Sequence, residues 1–148
     1  MRNATLCLAV VLLGSWTSTF AQGKPKFTSP QIVATFQRFG LTANLPATTI
    51  YTPKKWGTFR ISVVMVGTVA NGQINPYWEG SLAFTDGAGE NGPYSTRDAF
   101  LYTDIRRTGA VEFPIRAKAG KPLKFSVTSE GDTSGTKYNV WVVVEQLM

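Results

Sequence analysis

Apolar and polar side chains alternate along most of this chain from residue 31 onward. The clearest run follows Gly57, where Phe59, Ile61, Val63 and Met65 share one face of an extended segment and the opposite face is largely polar at its start. A period of two is typical of a half-buried β-strand. The same rhythm recurs in segments that start near Ile32, Trp78, Val111, Leu123 and Tyr138.

Turn residues separate these segments at a spacing of roughly 10 residues, which predicts seven or eight strands and no helix. The connections are unequal in length, and this favours a sandwich over an even up-and-down barrel. The predicted fold is therefore an all-β, antiparallel sandwich of jelly-roll or Greek-key type.

Individual strands carry more detailed predictions. Ile32, Ala34 and Phe36 are expected to point inward from a first strand, and residues 48–52 form a second strand that ends at a proline. The pair Asn71-Gly72 predicts a hairpin between the third and fourth strands. Residues 87–109 are the least regular stretch, with only a brief strand at 99–102. Pro114 lies off the apolar face of its strand and predicts an edge position, because proline cannot donate to a ladder.

The last strand, residues 138–147, is apolar on both faces. Tyr138, Val140 and the valines in phase with them form one face, whereas Trp141 and Val143 make the other face apolar as well. A strand of this kind is covered on both sides. We predict that Trp141 and Val143 lie at a subunit interface of a homo-oligomer, a dimer or a trimer. The alternatives are cover by the lead-in or the long loop, or a lone exposed Trp141.

The first 21 residues have the layout of a secretory signal peptide. A basic start is followed by an almost unbroken apolar run of ten residues, 4–13, and by a small, polar stretch that ends at Ala21. Ten residues span about half of a bilayer's hydrocarbon core, so no membrane span is expected after cleavage. The predicted division is 1–21 signal peptide, 22–30 exposed lead-in and 31–148 β-sandwich domain, and the predicted location is secreted or periplasmic.

The composition excludes several chemistries. The chain has no histidine, and its one cysteine, Cys7, lies in the predicted signal peptide. Catalytic triads, cysteine nucleophiles and imidazole or thiolate metal sites are therefore excluded from the mature chain. We expect a protein that is not an enzyme, with no cofactor and no metal. A remote alternative is a small glycoside hydrolase with a carboxylate pair chosen from Glu79, Glu90, Asp98 and Asp104.

The chain is basic, with 15 Lys and Arg against 9 Asp and Glu and a net charge of +6. Most of these residues are expected on the solvent-facing side of strands and turns, where lysine also discourages pairing between sheet edges. The alternative is attraction of phosphates or acidic envelope polymers, with Arg106 and Arg107 as the candidate polyanion contacts. No nucleic-acid-binding motif accompanies these charges, so we expect no specific nucleic acid partner.

Several aromatic residues fall outside the alternating core pattern. Sugar-binding sandwiches present aromatic rings on a flat face or in a loop, and the candidate ligand-binding residues here are Trp56, Tyr77, Tyr94 and Tyr102. Trp78, by contrast, is in phase with Leu82 and is predicted to lie in the core.

Five segments together resemble a group of small secreted bacterial and phage-virion-associated proteins. These segments are 51–53 (YTP), 57–63 (GTFRISV), 84–86 (FTD), 116–123 (RAKAGKPL) and 138–147 (YNVWVVVEQL). The likeness covers residues 47–148, although Trp56 and residues 87–109 depart from the group's pattern. It implies a jelly-roll sandwich of the kind that packs as trimers, with a structural or surface-binding role and no catalytic residue.

The sequence therefore supports two functions. The first is a secreted, non-enzymatic β-sandwich protein that acts as a structural, assembly or surface-adhesion module. The second is a carbohydrate-binding module that uses exposed tryptophan and tyrosine side chains.

Overall fold

The computed structural model describes residues 29–86, 94–103 and 108–147, with the backbone alone for 94–100 and 102. These residues form eight β-strands and no helix. The strands are β1 (Gln31–Leu41), β2 (Leu45–Tyr51), β3 (Gly57–Val69), β4 (Tyr77–Phe84), β5 (Tyr94–Tyr102), β6 (Thr108–Ala117), β7 (Leu123–Glu130) and β8 (Lys137–Gln146).

The strands form two antiparallel sheets of four strands each, in the orders β1-β8-β3-β6 and β2-β7-β4-β5. Each of the pairs β1 with β8, β2 with β7, β3 with β6 and β4 with β5 is hydrogen-bonded, like a long hairpin that has been rolled up. This nested pairing defines the eight-stranded jelly roll. The predicted fold class is confirmed.

The core lies between the two sheets and is filled by every second residue of the strands. The alternation after Gly57 is confirmed, because Phe59 is 1% exposed and Ile61, Val63 and Met65 are fully buried. The other sheet contributes Trp78, Leu82, Leu123, Phe125 and Val127. Burial of this apolar surface is the main favourable contribution to folding.

The hairpin predicted at Asn71-Gly72 is wrong. β3 and β4 belong to different sheets, so the connection crosses from one layer to the other. Gly72 does adopt the positive φ of 75° that a tight turn requires. Asn71 holds this crossing in place, since its backbone N donates to Thr103 O and its Nδ2 donates to Asp132 O and Ser134 O.

The predicted inward position of Ile32 is also wrong. The pairing of β1 with β8 shifts by one residue between Ile32 and Ala34. This bulge turns Ile32 to the outside, where its side chain is 64% exposed, and Val33 packs against the core instead. Phe36, beyond the bulge, is buried as expected.

Two strands are longer than the sequence predicts, and one edge is placed correctly. β2 starts at Leu45, which is buried, and therefore includes Pro46 near its start. β5 spans Tyr94–Tyr102 instead of residues 99–102 alone. Pro114 lies on β6, an outer strand of its sheet, so the predicted edge position is confirmed.

One aromatic cluster connects the two sheets across the core. Trp78 on β4 packs against Tyr138 on β8, with ring centroids 4.6 Å apart. The indole Nε1 of Trp78 donates a buried hydrogen bond of 3.1 Å to Thr136 Oγ1. The hydroxyl of Tyr138 donates to the backbone oxygen of Ala43 at 3.0 Å. Both polar atoms of this cluster are therefore satisfied inside the fold.

Tyr138 makes stability depend on pH in alkaline solution. Burial raises the pKa of the Tyr138 phenol above its ordinary value of 10.0. The unfolded chain loses this proton first, so the contribution of Tyr138 is complete below pH 10 and falls as the pH rises above it.

We expect the urea midpoint of the protein to fall between pH 9.5 and 11.5, and to fall less steeply in Tyr138→Phe. The variant should be slightly less stable at neutral pH, by about 1 kcal/mol, because the bond to Ala43 is lost. Equal slopes for the two proteins would contradict this assignment.

Candidate functional site

The outward side of the β1-β8-β3-β6 sheet carries the predicted interface residues. We call this surface the Trp141 face. Strand pairing places Gln37, Trp141, Val64 and Ala110 in one row across the four strands. Val143 lies in the next row on β8, beside Ser62 of β3. Trp141 and Val143 are both half-buried and are thus brought together near the middle of the sheet.

Phe39 extends the apolar part of this face along β1. Its ring meets Trp141 at a centroid distance of 5.4 Å and an interplanar angle of 76°. The side chain of Phe39 is 61% exposed, so this edge-on pair presents its outer surface to solvent. Perpendicular rings do not provide the flat platform on which a sugar stacks. The sequence pattern did not single out Phe39, because its position beside Trp141 depends on the pairing of β1 with β8.

Charges are few across the centre of the Trp141 face. Arg60 Nε donates to Glu145 Oε2 at 2.6 Å, the one ion pair among the described residues. This hydrogen bond raises the pKa of Arg60 above its usual value. Ser62 Oγ donates to Glu112 Oε1 at 3.4 Å. The centre thus holds one positive and two negative groups, in a chain with a net charge of +6.

A second candidate site lies at the end of the sandwich where β3 begins. Trp56 stands in the connection between β2 and β3, and its side chain is 59% exposed. The guanidinium carbon of Arg116, on β6, lies 5.1 Å from the centre of the Trp56 ring system. These two residues, with Gly57 and Thr58, line a cleft of about 530 Å³, which we call the Trp56 cleft.

Backbone hydrogen bonds hold this end of the molecule together. Gly120 N donates to Pro53 O at 2.8 Å and fastens the β2–β3 connection to the β6–β7 turn. Lys118 N donates to Thr85 O at 2.9 Å. These contacts gather four lysines near the Trp56 cleft, namely Lys54, Lys55, Lys118 and Lys121. The sequence contains these basic residues, but only the pairing of Thr58 with Arg116 shows that Arg116 reaches Trp56.

Two of the predicted aromatic ligand-binding residues, Trp56 and Tyr77, lie at opposite ends of β4. Trp56 lies near the end of β4 that leads to Thr85, whereas Tyr77 lies at the other end of that strand. Tyr77 is half-buried, and its backbone is paired with that of Tyr102 on β5. The side chains of Tyr94 and Tyr102 lie outside the described part of the structure. Arg106 and Arg107 also lie outside the described residues.

Of the carboxylates offered for a glycosidase pair, Glu79 alone has a described side chain, which is 6% exposed on β4. The side chains of Glu90, Asp98 and Asp104 lie outside the described part of the structure, so the pair stays a prediction. No group of three His, Cys, Asp or Glu side chains that could hold a metal ion occurs in residues 29–86, 94–103 and 108–147.

The protein is an eight-stranded jelly roll, and one of its two sheets has an apolar outward face. No protein-family model matches the chain, and no curated protein matches it. In the described ranges there is no helix with the length and apolarity needed to cross a bilayer.

Proposed function

We propose that this protein is an exported structural module that associates with a second copy of itself through the Trp141 face. The observation that carries the proposal is the outward cluster of Phe39, Trp141, Val64 and Val143 on one sheet. In a two-layer sandwich the outward face of each sheet normally contacts water. An apolar centre on such a face therefore favours a partner. The predicted signal peptide and the resemblance to secreted and virion-associated jelly rolls agree with a structural role outside the cytoplasm.

The dimensions of the Trp141 face suit a dimer. A ten-residue strand such as β8 is about 34 Å long, and four strands are about 19 Å wide. The face therefore offers about 650 Å² in projection, near the roughly 800 Å² that each partner buries in a standard interface. Two copies that meet through the same face form a closed, two-fold dimer.

The charge distribution also favours a second copy. Two chains with a net charge of +6 each repel one another over most of their surfaces. The centre of the Trp141 face avoids this repulsion, since Arg60 is already paired with Glu145 and Glu112 adds a negative charge. An apolar centre with a weakly charged surround is typical of such interfaces.

We expect sedimentation equilibrium to give twice the mass of one chain for the purified protein. Phe39→Ser and Trp141→Ser should weaken the dimer by about 30-fold or more, as loss of a central aromatic residue does. The matched control is Trp56→Ser, because Trp56 is 59% exposed and Phe39 is 61% exposed. The control should keep the dimer. A wild-type protein that stays monomeric at tens of micromolar would contradict the proposal.

A further inference from the structure

We propose that the Trp56 cleft binds an acidic sugar, with the pyranose ring against the indole of Trp56 and the sugar carboxylate on the guanidinium of Arg116. This function goes beyond self-association, and the cleft lies at the Thr58–Arg116 end of the same sheet, six residues along β3 from the row that holds Val64 and Trp141. The contact between Trp56 and Arg116 carries the proposal, together with the cleft that these residues line.

The indole of Trp56 can accept a sugar ring. Arg116 lies over the ring at 5.1 Å, yet the side chain of Trp56 remains 59% exposed, so a large part of its surface faces solvent. The neighbouring residues leave room for a ligand beside the indole, since Gly57 has no side chain and the side chain of Thr58 is short. The C–H groups of a pyranose pack well on such an aromatic surface.

Arg116 is suited to a carboxylate. The guanidinium carbon lies over the Trp56 ring, and a guanidinium that packs on an aromatic surface can still donate from its edge. Arg116 forms no ion pair with any residue in the described ranges, where Arg60 and Glu145 make the one pair. A free, oriented guanidinium binds a carboxylate through two parallel hydrogen bonds.

The surroundings add attraction for an anionic chain. Lys54 and Lys55 precede Trp56, and Lys118 and Lys121 flank Gly120, whose backbone N bonds to Pro53. None of these lysines forms an ion pair with another described residue. Together they create a positive field that accelerates binding of a polyanion and weakens with salt. The cleft volume of about 530 Å³ lies within the range of small-ligand sites.

The combination of groups favours an acidic sugar over other anions. A polyphosphate would use the lysines and Arg116 but has no ring for Trp56. A neutral sugar would use Trp56 but leaves Arg116 without a partner. A sugar ring that carries its own carboxylate uses both members of the Trp56–Arg116 pair, and the flat carboxylate matches the planar guanidinium.

The test is isothermal titration of the purified protein with uronate trisaccharides, namely trigalacturonate and trimannuronate. We expect at least one of them to bind, and its methyl ester, which has the same rings without the charge, to bind about tenfold more weakly or worse. Trp56→Ala and Arg116→Gln should each weaken binding by about tenfold. Arg116→Lys keeps the charge but loses the planar fork, and should also weaken binding.

Two control variants separate a site from general effects. Lys137→Gln removes one positive charge at the start of β8, beside Val69 at the far end of β3 from Gly57. Phe39→Ala removes an equally exposed aromatic side chain from the Trp141 face. Both should bind the trisaccharide as the wild type does. Thermal melts of all variants identify any that do not fold, and Trp56→Leu, which keeps apolar volume but has no aromatic ring, then serves in place of Trp56→Ala.

Three results would overturn the proposal. They are failure of every uronate trisaccharide to bind at millimolar concentration, equal affinity for polyphosphate with no effect of Trp56→Ala, and equal affinity for the methyl ester. If Phe39→Ala abolishes the dimer and leaves trisaccharide binding intact, sugar binding does not depend on self-association.

Discussion

Truncation of the chain before Val140 is expected to abolish cooperative folding. β8 is the last strand along the sequence, but it lies between β1 and β3 in the middle of its sheet. Its loss would leave both neighbours without a hydrogen-bonded partner on one side. It would also remove Val140, Val142 and Val144, each at most 1% exposed, from the core. Far-ultraviolet circular dichroism with a thermal melt is the measurement.

Adjacent valines on β8 provide a graded control for this prediction. Val142 points into the core and is 1% exposed, whereas Val143 is half-buried on the Trp141 face. Val142→Ala should lower the free energy of unfolding by roughly 2–3 kcal/mol, and Val143→Ala by about 1 kcal/mol or less. A soluble truncated chain that melts cooperatively would contradict the role assigned to β8.

Trp78→Ala is expected to cost about 3–5 kcal/mol of stability, a large part of what a domain of this size has. Trp78 is 2% exposed and contacts Tyr138 of the opposite sheet, so its loss opens a cavity between the two layers. The substitution also removes the indole donor of Thr136 Oγ1. Thr136 still donates its own hydroxyl to Thr133 O at 2.6 Å, so this second effect is small.

Urea titration of Trp78→Ala and Trp78→Phe separates packing from hydrogen bonding. The phenylalanine variant keeps most of the ring volume and should lose clearly less stability than the alanine variant. Trp56→Ala is the surface control and should change stability by less than about 0.5 kcal/mol. Equal losses for Trp78→Ala and Trp56→Ala would show that Trp78 does not connect the sheets as described.

The fold class follows from the sequence because the inward residues repeat with period two on each strand. Phe59 and Leu82 are buried where this period places them. The edge position of β6 was also predictable, since Pro114 cannot donate a hydrogen bond to a second neighbour. The inward phase of a strand and the edge position of a proline depend on residues that are close together in the chain, so both can be predicted from the sequence.

The errors arise where the outcome depends on pairing between distant strands. Asn71-Gly72 has turn chemistry, but the turn joins two sheets because β3 pairs with β6 and β8 instead of β4. Ile32 keeps the alternating phase in sequence, and the bulge that reverses it is visible only in the pairing with β8. A period-two pattern does not reveal such a shift.

Some residues of the candidate sites could be predicted from the sequence, and others could not. Trp141 and Val143 could be chosen from the sequence because they make a second apolar face on one strand. Phe39 and Arg116 could not, since each reaches its tryptophan through contacts between strands far apart along the chain. The separation of Trp56 from Tyr77 likewise depends on the direction of β4 in its sheet.

Cross-linking at a single cysteine tests whether two copies meet through the Trp141 face, as we propose. Ser62 points outward from β3 near the centre of this face, and Ser126 points outward from β7 of the other sheet. Both side chains are half-buried, so they are matched positions. Each would be replaced by cysteine in the chain without residues 1–21, which has no other cysteine, and treated with a short bismaleimide, since stacked sheets lie about 10 Å apart.

We expect Ser62→Cys to give a covalent dimer at micromolar concentration and Ser126→Cys to stay monomeric under the same conditions. Cross-linking that is equally low for the two cysteines, or stronger at Ser126→Cys, would contradict the proposed dimer.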